Sequence, residues 1–289
     1  MEGNPMKNTL KTTMLLALMG ALIMFIASFW GSGGLMIGLF LALAMVGGSY
    51  WMSDKLAIRS ARAVEVGEGQ LPEYRSIMRE LSELSGQPMP RIYVSPDPQP
   101  NAFATGRNPA NAAVCITEGL IQHLSWDQIR GVLAHEMAHI KNRDILIGSV
   151  AAAIAMAITF VAYMAQFAMI FGGGNRDRNR NPLVDLLLII VAPIAAALIQ
   201  MAISRSREFQ ADRTAARMIG DGEPLAAALE KLDVASRAIP SLANANQAQM
   251  YIVNPLAGRK MAFRNLFTTH PPMAKRIARL RNGSWQEAL

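Results

Sequence analysis

His135-Glu136-Met137-Ala138-His139 reads H-E-x-x-H. On an α-helix, positions i and i+4 stand one turn apart on one face. Both imidazoles can then reach one metal ion, and the glutamate beside the first can reach a water held by that metal. The bland alternative is two histidines on a helix surface with an acidic neighbour. The flanking residues argue for a well-defined helix. Ser125-Trp126-Asp127-Gln128 has the form of a capping box, Ser125 as N-cap and Gln128 three positions on. Asp127 suits the positive end of the helix dipole. Ile129, Val132, Leu133, Met137 and Ile140 form an apolar stripe at helical spacing. His135 and His139 fall roughly 100° or more from the centre of that stripe. The helix is therefore expected to pack into a core while its histidine edge faces a cleft.

The chain around this helix is apolar for its size. It has 289 residues, 52% hydrophobic and only 17% charged, with mean hydropathy +0.21. Soluble domains carry about 25% charged residues, so the balance points to a membrane protein with a soluble portion. Net charge is +7. The arginines are spread along the chain and no nucleic-acid motif is present, so the charge is read as positive-inside topology and no nucleic-acid partner is expected. The lone cysteine, Cys115, excludes an intramolecular disulfide and is compatible with a reducing compartment.

Met14 to Trp30 and Leu35 to Met52 are apolar runs joined by Gly31–Gly34. Each is close to the ~20 residues that cross a ~30 Å hydrocarbon layer. Residues 1–53 are thus expected to form a transmembrane hairpin, with Trp30, Tyr50 and Trp51 at the interfaces. A cleavable signal peptide is the rival reading of the first run, and the second run follows too closely to favour it. Lys7 and Lys11 before the hairpin, and Lys55, Arg59 and Arg62 after it, place both flanks in the cytoplasm. Ile145 to Phe171 and Pro182 to Ile203 form a second apolar pair at 145–203. Its loop carries Arg176, Asp177, Arg178 and Arg180, which bends the charge rule; burial in the soluble part or a position on the membrane surface are the alternatives to spanning.

The stretches 54–144 and 204–289 then form the two parts of one soluble, cytoplasmic domain. Pro72–Ser85 reads as an amphipathic helix with Pro72 at its start and Gly86 past its end. Arg91–Val94, Asn101–Thr105 and Ala112–Thr117 read as strands. Glu118–Leu124, Pro224–Arg237 and Ala274–Leu280 read as helices, the last basic and amphipathic, and 239–254 is left undefined. Cys115 is read as a buried strand residue and His123 as surface.

A catalytic zinc takes three protein ligands and keeps one position for water. Besides His123 and the pair, only His270 remains among the histidines. Glu208, in Ser206-Arg207-Glu208-Phe209-Gln210-Ala211-Asp212, is the best third ligand. Asp212, one turn on, is placed to hold a ligand imidazole by its second nitrogen. Spacing alone leaves open a plain charged helix face.

These pieces together resemble the HtpX-type membrane metallopeptidases: the N-terminal hairpin, Pro100-Asn101-Ala102-Phe103-Ala104-Thr105-Gly106, His135–His139, Ser206–Asp212 after a second hairpin, and Thr269-His270-Pro271-Pro272. The resemblance covers nearly the whole chain. It implies an α-helical membrane protein with an α+β, zincin-like (gluzincin) catalytic domain, mostly helical with a small sheet. It further implies one zinc ion per subunit at His135, His139 and Glu208, in an endopeptidase that clears misfolded or damaged membrane proteins at the bacterial inner membrane. In that reading Glu136 is the general base. His270 is the candidate donor to the oxyanion, with a structural histidine at a turn as the alternative.

Extended peptides often bind by adding a strand to a sheet edge. One of the segments 101–105 and 112–117 is expected to be that edge; Asn101, Ala102, Phe103, Ala104 and Thr105 are the candidates, with core packing as the alternative. Two other functions compete: a zinc-bearing membrane scaffold or adaptor without turnover, which would have no use for Glu136, and a related peptidase that trims prenylated proteins, which would need more than the four candidate spans.

Overall fold

The computed structural model describes residues 36, 40, 44, 48, 51–52, 54–144, 207–243, 251–253 and 271–287. The two expected hairpins lie outside the described residues, apart from six helical positions between 36 and 52, and so does His270. No helix among the described residues is long and apolar enough to cross a membrane.

The described part is helix-rich around one small sheet. Its strands are β1 (Val64–Glu65), β2 (Arg91–Ser95), β3 (Ala102–Gly106) and β4 (Ala112–Thr117), in spatial order β1-β2-β4-β3. β2 and β4 run parallel, with Tyr93 opposite Cys115; β3 runs antiparallel to β4, with Ala104 opposite Val114. Strand alternation sorts the side chains by face. Ile92, Ala102, Ala112, Val114 and Ile116 point into the main core, and Tyr93, Phe103, Ala113 and Cys115 point into a second cluster with Ala57, Ala61, Ala243 and Tyr251. β4 is central and buried along its whole length, which removes 112–117 as a candidate edge; β3 is an edge strand. Gly106 ends β3 at φ +133°, and a Cβ there would strike the Asn111 carbonyl, so the turn into β4 requires glycine.

The main core is closed by α1 (Pro72–Ser85), α2 (Glu118–His123) and α3 (Trp126–Lys141). α1 starts on Pro72 and stops at Gly86, a left-handed C-cap whose N–H donates to Glu83 O. α3 opens with the complete capping box: Gln128 N–H donates to Ser125 Oγ, and Ser125 N–H to the Gln128 side chain. Helix α4 spans residues 207–219, followed by α5 (Glu223–Ala238) and α6 (Met273–Arg281). α5 crosses α3 at Gly131, where any Cβ would run into the main chain of Pro224 and Leu225. That close approach makes α3 the middle of the domain, packed by α1 and α5 and bordered by β3. On its histidine edge, His135 and Glu136 are buried and His139 is partly exposed.

Candidate metal centre

α3 presents His135 and His139 with ring centroids 4.6 Å apart and planes at 86°. Their Nε2 atoms face each other at 3.1 Å. α4 brings in Glu208, whose Oε2 stands 3.6 Å from His135 Nε2 and whose Oε1 stands 3.5 Å from His139 Nε2. Donors bound about 2.0–2.2 Å from a tetrahedral ion stand about 3.3–3.6 Å apart. The two carboxylate–imidazole separations fit that spacing and the imidazole–imidazole one is slightly tighter, and the two-nitrogen, one-carboxylate set is a common zinc donor set.

Each imidazole is backed by a second carboxylate on its outer nitrogen. Asp212, one turn along α4 from Glu208, lies 3.0 Å from His135 Nδ1, an ion pair by distance rather than an aligned hydrogen bond. Asp144 Oδ2 lies 3.1 Å from His139 Nδ1. Asp144 reaches back because Arg143, just past the end of α3, adopts the left-handed region at φ 60° and reverses the chain. Two guanidinium groups complete the charge set. Arg276, fully buried on α6, grips Asp212 with two hydrogen bonds, Nε to Oδ2 at 2.9 Å and Nη2 to Oδ1 at 2.7 Å, and places Nη1 3.2 Å from Glu208 Oε2. Arg207 donates to the Asp144 carbonyl at 3.4 Å. Glu136, Asp144, Glu208 and Asp212 thus face Arg207 and Arg276, an excess of two negative charges when every carboxyl is ionised. A divalent cation held by His135, His139 and Glu208 would balance it.

The ionisation of the groups follows the same field. Burial alone would lower both histidines. Asp212 and Glu208 instead carry His135 upward, and Asp144 and Glu208 push His139 up to about 10. Burial works against ionised Asp212, but the Arg276 charge and the His135 contact outweigh it and hold the carboxyl below its usual range. Glu136 moves the other way: burial raises it above the ordinary carboxylate value, and the positive imidazoles and the nearby Ala104 main chain restrain the rise.

The structure therefore brings together His135, Glu136, His139, Glu208 and Asp212 from two distant stretches, with Ala104 at their border. Asn101 falls just before β3, and Ala102–Thr105 lie in it. His123 is exposed, its Nδ1 2.8 Å from the Gly119 carbonyl, away from the cluster. Cys115 is sealed in β4, and burial raises its thiol far above the range of a nucleophile. The sequence reading missed Asp144 and Arg276. Asp144 is five residues past His139, a spacing that an unbroken helix would send to another side. Arg276 sits in a basic helix that reads as a solvated face, and nothing in its local sequence marks it as buried.

Comparison with known proteins matches residues 69–284 to the family model described as peptidase family M48. The chain is 50% identical to a "Protease HtpX homolog" of Syntrophobacter fumaroxidans, over 96% of this chain and 100% of that one. It is 47% identical to the protein of the same description from Pelotomaculum thermopropionicum, over 94% and 98%, and 47% identical to that from Bifidobacterium longum, over 94% and 91%. Among solved structures, S. mikatae Ste24p shares the fold at a TM-score of 0.52 and 20% identity, covering 96% of this chain and 66% of that one.

Proposed function

The chain belongs to peptidase family M48 and is a zinc metallopeptidase, and we propose that His135, His139 and Glu208 hold its one zinc ion while Glu136 acts as general base. The observation that carries this is the triangle of donor atoms at 3.1, 3.5 and 3.6 Å, closed by residues from two separate helices. Bound zinc supplies the Lewis acidity that makes water a nucleophile near neutral pH and polarises the scissile carbonyl. The rest falls to the chain's own side chains. Glu136, its carboxyl raised above the ordinary range by burial, takes the proton from the attacking water and delivers it to the leaving amine nitrogen. Asp212 and Asp144 fix the two imidazoles by their outer nitrogens, which leaves both Nε2 atoms turned toward each other and Glu208, where they would hold the ion. Arg276 keeps Asp212 ionised in a buried place. His270 is the proposed donor to the developing oxyanion. The outer edge of β3, where Asn101, Ala102, Phe103, Ala104 and Thr105 lie, is the proposed docking line for an extended peptide.

The substrates are proteins. The apolar runs in 1–53 and 145–203 support two membrane hairpins, with 54–144 and 204–289 forming one catalytic domain and both termini in the cytoplasm. The chain then works at the surface of the bilayer it is anchored in, and unfolded or damaged membrane proteins are the substrates it meets there. The deciding experiment is Glu136→Gln in the detergent-purified full chain. Zinc content should stay near one per chain, while hydrolysis of an unfolded protein such as casein should fall by about 10²–10⁴-fold. Retained turnover would remove Glu136 as base, whereas a zinc-loaded wild-type chain that leaves casein intact would favour the scaffold reading.

A further inference from the structure

β3 is an edge strand, but its outer edge is not uniform. In an antiparallel pair, alternate residues turn both main-chain groups toward the neighbour strand and the rest turn them outward. Asn101 O accepts the Thr117 N–H of the β4 side, so Phe103 and Thr105 face inward, and Ala102, Ala104 and Gly106 face outward. Ala102 is already occupied: its N–H donates to the Asn101 side chain at 3.1 Å, and its carbonyl accepts the Ile252 N–H at 3.0 Å. Ala104, the next outward position, lies on the strand that borders α3, the helix carrying Glu136.

The segment holding Ala102 is itself tightly fixed. Tyr251, Ile252 and Val253 are all buried. Asn101 Nδ2 donates to Val253 O at 2.8 Å, and Val253 N–H returns to Asn101 Oδ1 at 3.3 Å. Arg276 Nη1 donates to Ile252 O at 3.2 Å, from the same guanidinium that grips Asp212. Tyr251 lies edge-on to Phe103, ring centroids 5.2 Å apart. Strand, charge cluster and second hydrophobic cluster each hold one residue of the three.

We propose that Tyr251–Val253 is an end stop on the peptide-docking edge, holding the first outward position of β3 so that a substrate strand pairs from Ala104 toward and beyond Gly106. This rests on the reading of β3 as the docking line and adds a limit to it. The segment sets how much of the polypeptide main chain is read on one side of the scissile bond, and it does so through main-chain bonds, without regard to side-chain identity. The ligand class is an extended, unfolded polypeptide whose pairing length is short on one side.

The test uses the zinc-loaded full chain in detergent and quenched peptides nested around one cleaved bond, lengthened one residue at a time on each side. kcat/KM should rise about 2- to 10-fold for each main-chain hydrogen bond gained. It should level off on one side at least about two residues sooner than on the other, two being the strand repeat. Ile252→Pro removes the N–H on Ala102 and should move the short plateau outward by about two residues, and Asn101→Ala should do the same by loosening Val253. Plateaus of equal length in the wild-type enzyme overturn the end stop whether or not either variant folds, and so does an unmoved short plateau in a folded variant. Cleavage with no dependence on length on either side overturns the docking line itself. Failure to cleave any peptide, with casein also intact, overturns the peptidase site instead.

Discussion

The two imidazoles of the site differ by one helical turn and by almost everything that supports them. His139 is partly exposed and is held by Asp144, five residues away, through a tight reversal at Arg143. His135 is buried and is held by Asp212, which is held in turn by Arg276 from the far end of the chain. One ligand is organised locally and beside water, the other by tertiary contacts in a dry interior. The contrast teaches where the site is robust. Water can substitute for a lost partner at His139; at His135 any loss strands a buried charge.

Glu208 is the one ligand both halves share, so its removal should have the largest effect. Glu208→Ala should cut zinc retention after dialysis to a small fraction of one ion per chain, read by metal analysis, and abolish casein hydrolysis. Asp212→Ala comes next. It should weaken zinc about 10- to 100-fold, and it should also destabilise the metal-free fold by about 3–5 kcal/mol, because the buried Arg276 loses both hydrogen bonds to Asp212 and keeps only its ion pair with Glu208. Denaturant unfolding in chelator measures the second part. Asp212 also carries a pH signature. Its folded carboxyl titrates below the unfolded one, so its stabilisation is complete above about pH 4. It is lost as pH falls through the lower, folded value, and Asp212→Asn should remove that acid limb. Asp144→Ala should also weaken zinc about 10-fold or more, but with a stability cost of only about 1–3 kcal/mol. Equal unfolding costs for Asp144→Ala and Asp212→Ala would break the comparison.

The same contrast governs what the sequence revealed. α3 was legible in detail because its signals are local: Ser125 and Gln128 close the capping box, and the stripe from Ile129 to Ile140 faces the core. α1 was legible from Pro72 and Gly86. Three of the four strands were placed within a residue, with β3 beginning at Ala102 because the Asn101 side chain is spent on Val253 and on the Ala102 amide; the two-residue β1, Val64–Glu65, is too short to carry a pattern and was not read. Sheet order was not legible. Ala102–Gly106 and Ala112–Thr117 have similar composition, and only the parallel pairing of β2 with β4 makes one central and the other an edge. Within the site, Glu208 and Asp212 stood out as candidates by their spacing of four, though the resemblance was needed to set them apart from a plain charged helix face. Asp144 could not, since its position depends on a positive φ at Arg143 that no residue type announces. Nor could Arg276, since a guanidinium on a basic helix is ordinarily solvated and only the carboxylates of α4 draw this one inside.

The most direct measurement is zinc X-ray absorption on the purified full chain. The account predicts one ion bound by two imidazole nitrogens and carboxylate oxygen at about 2.0–2.2 Å, with the oxygen contribution from protein lost in Glu208→Ala. A coordination shell unchanged by that substitution, or one lacking two imidazoles, would contradict it.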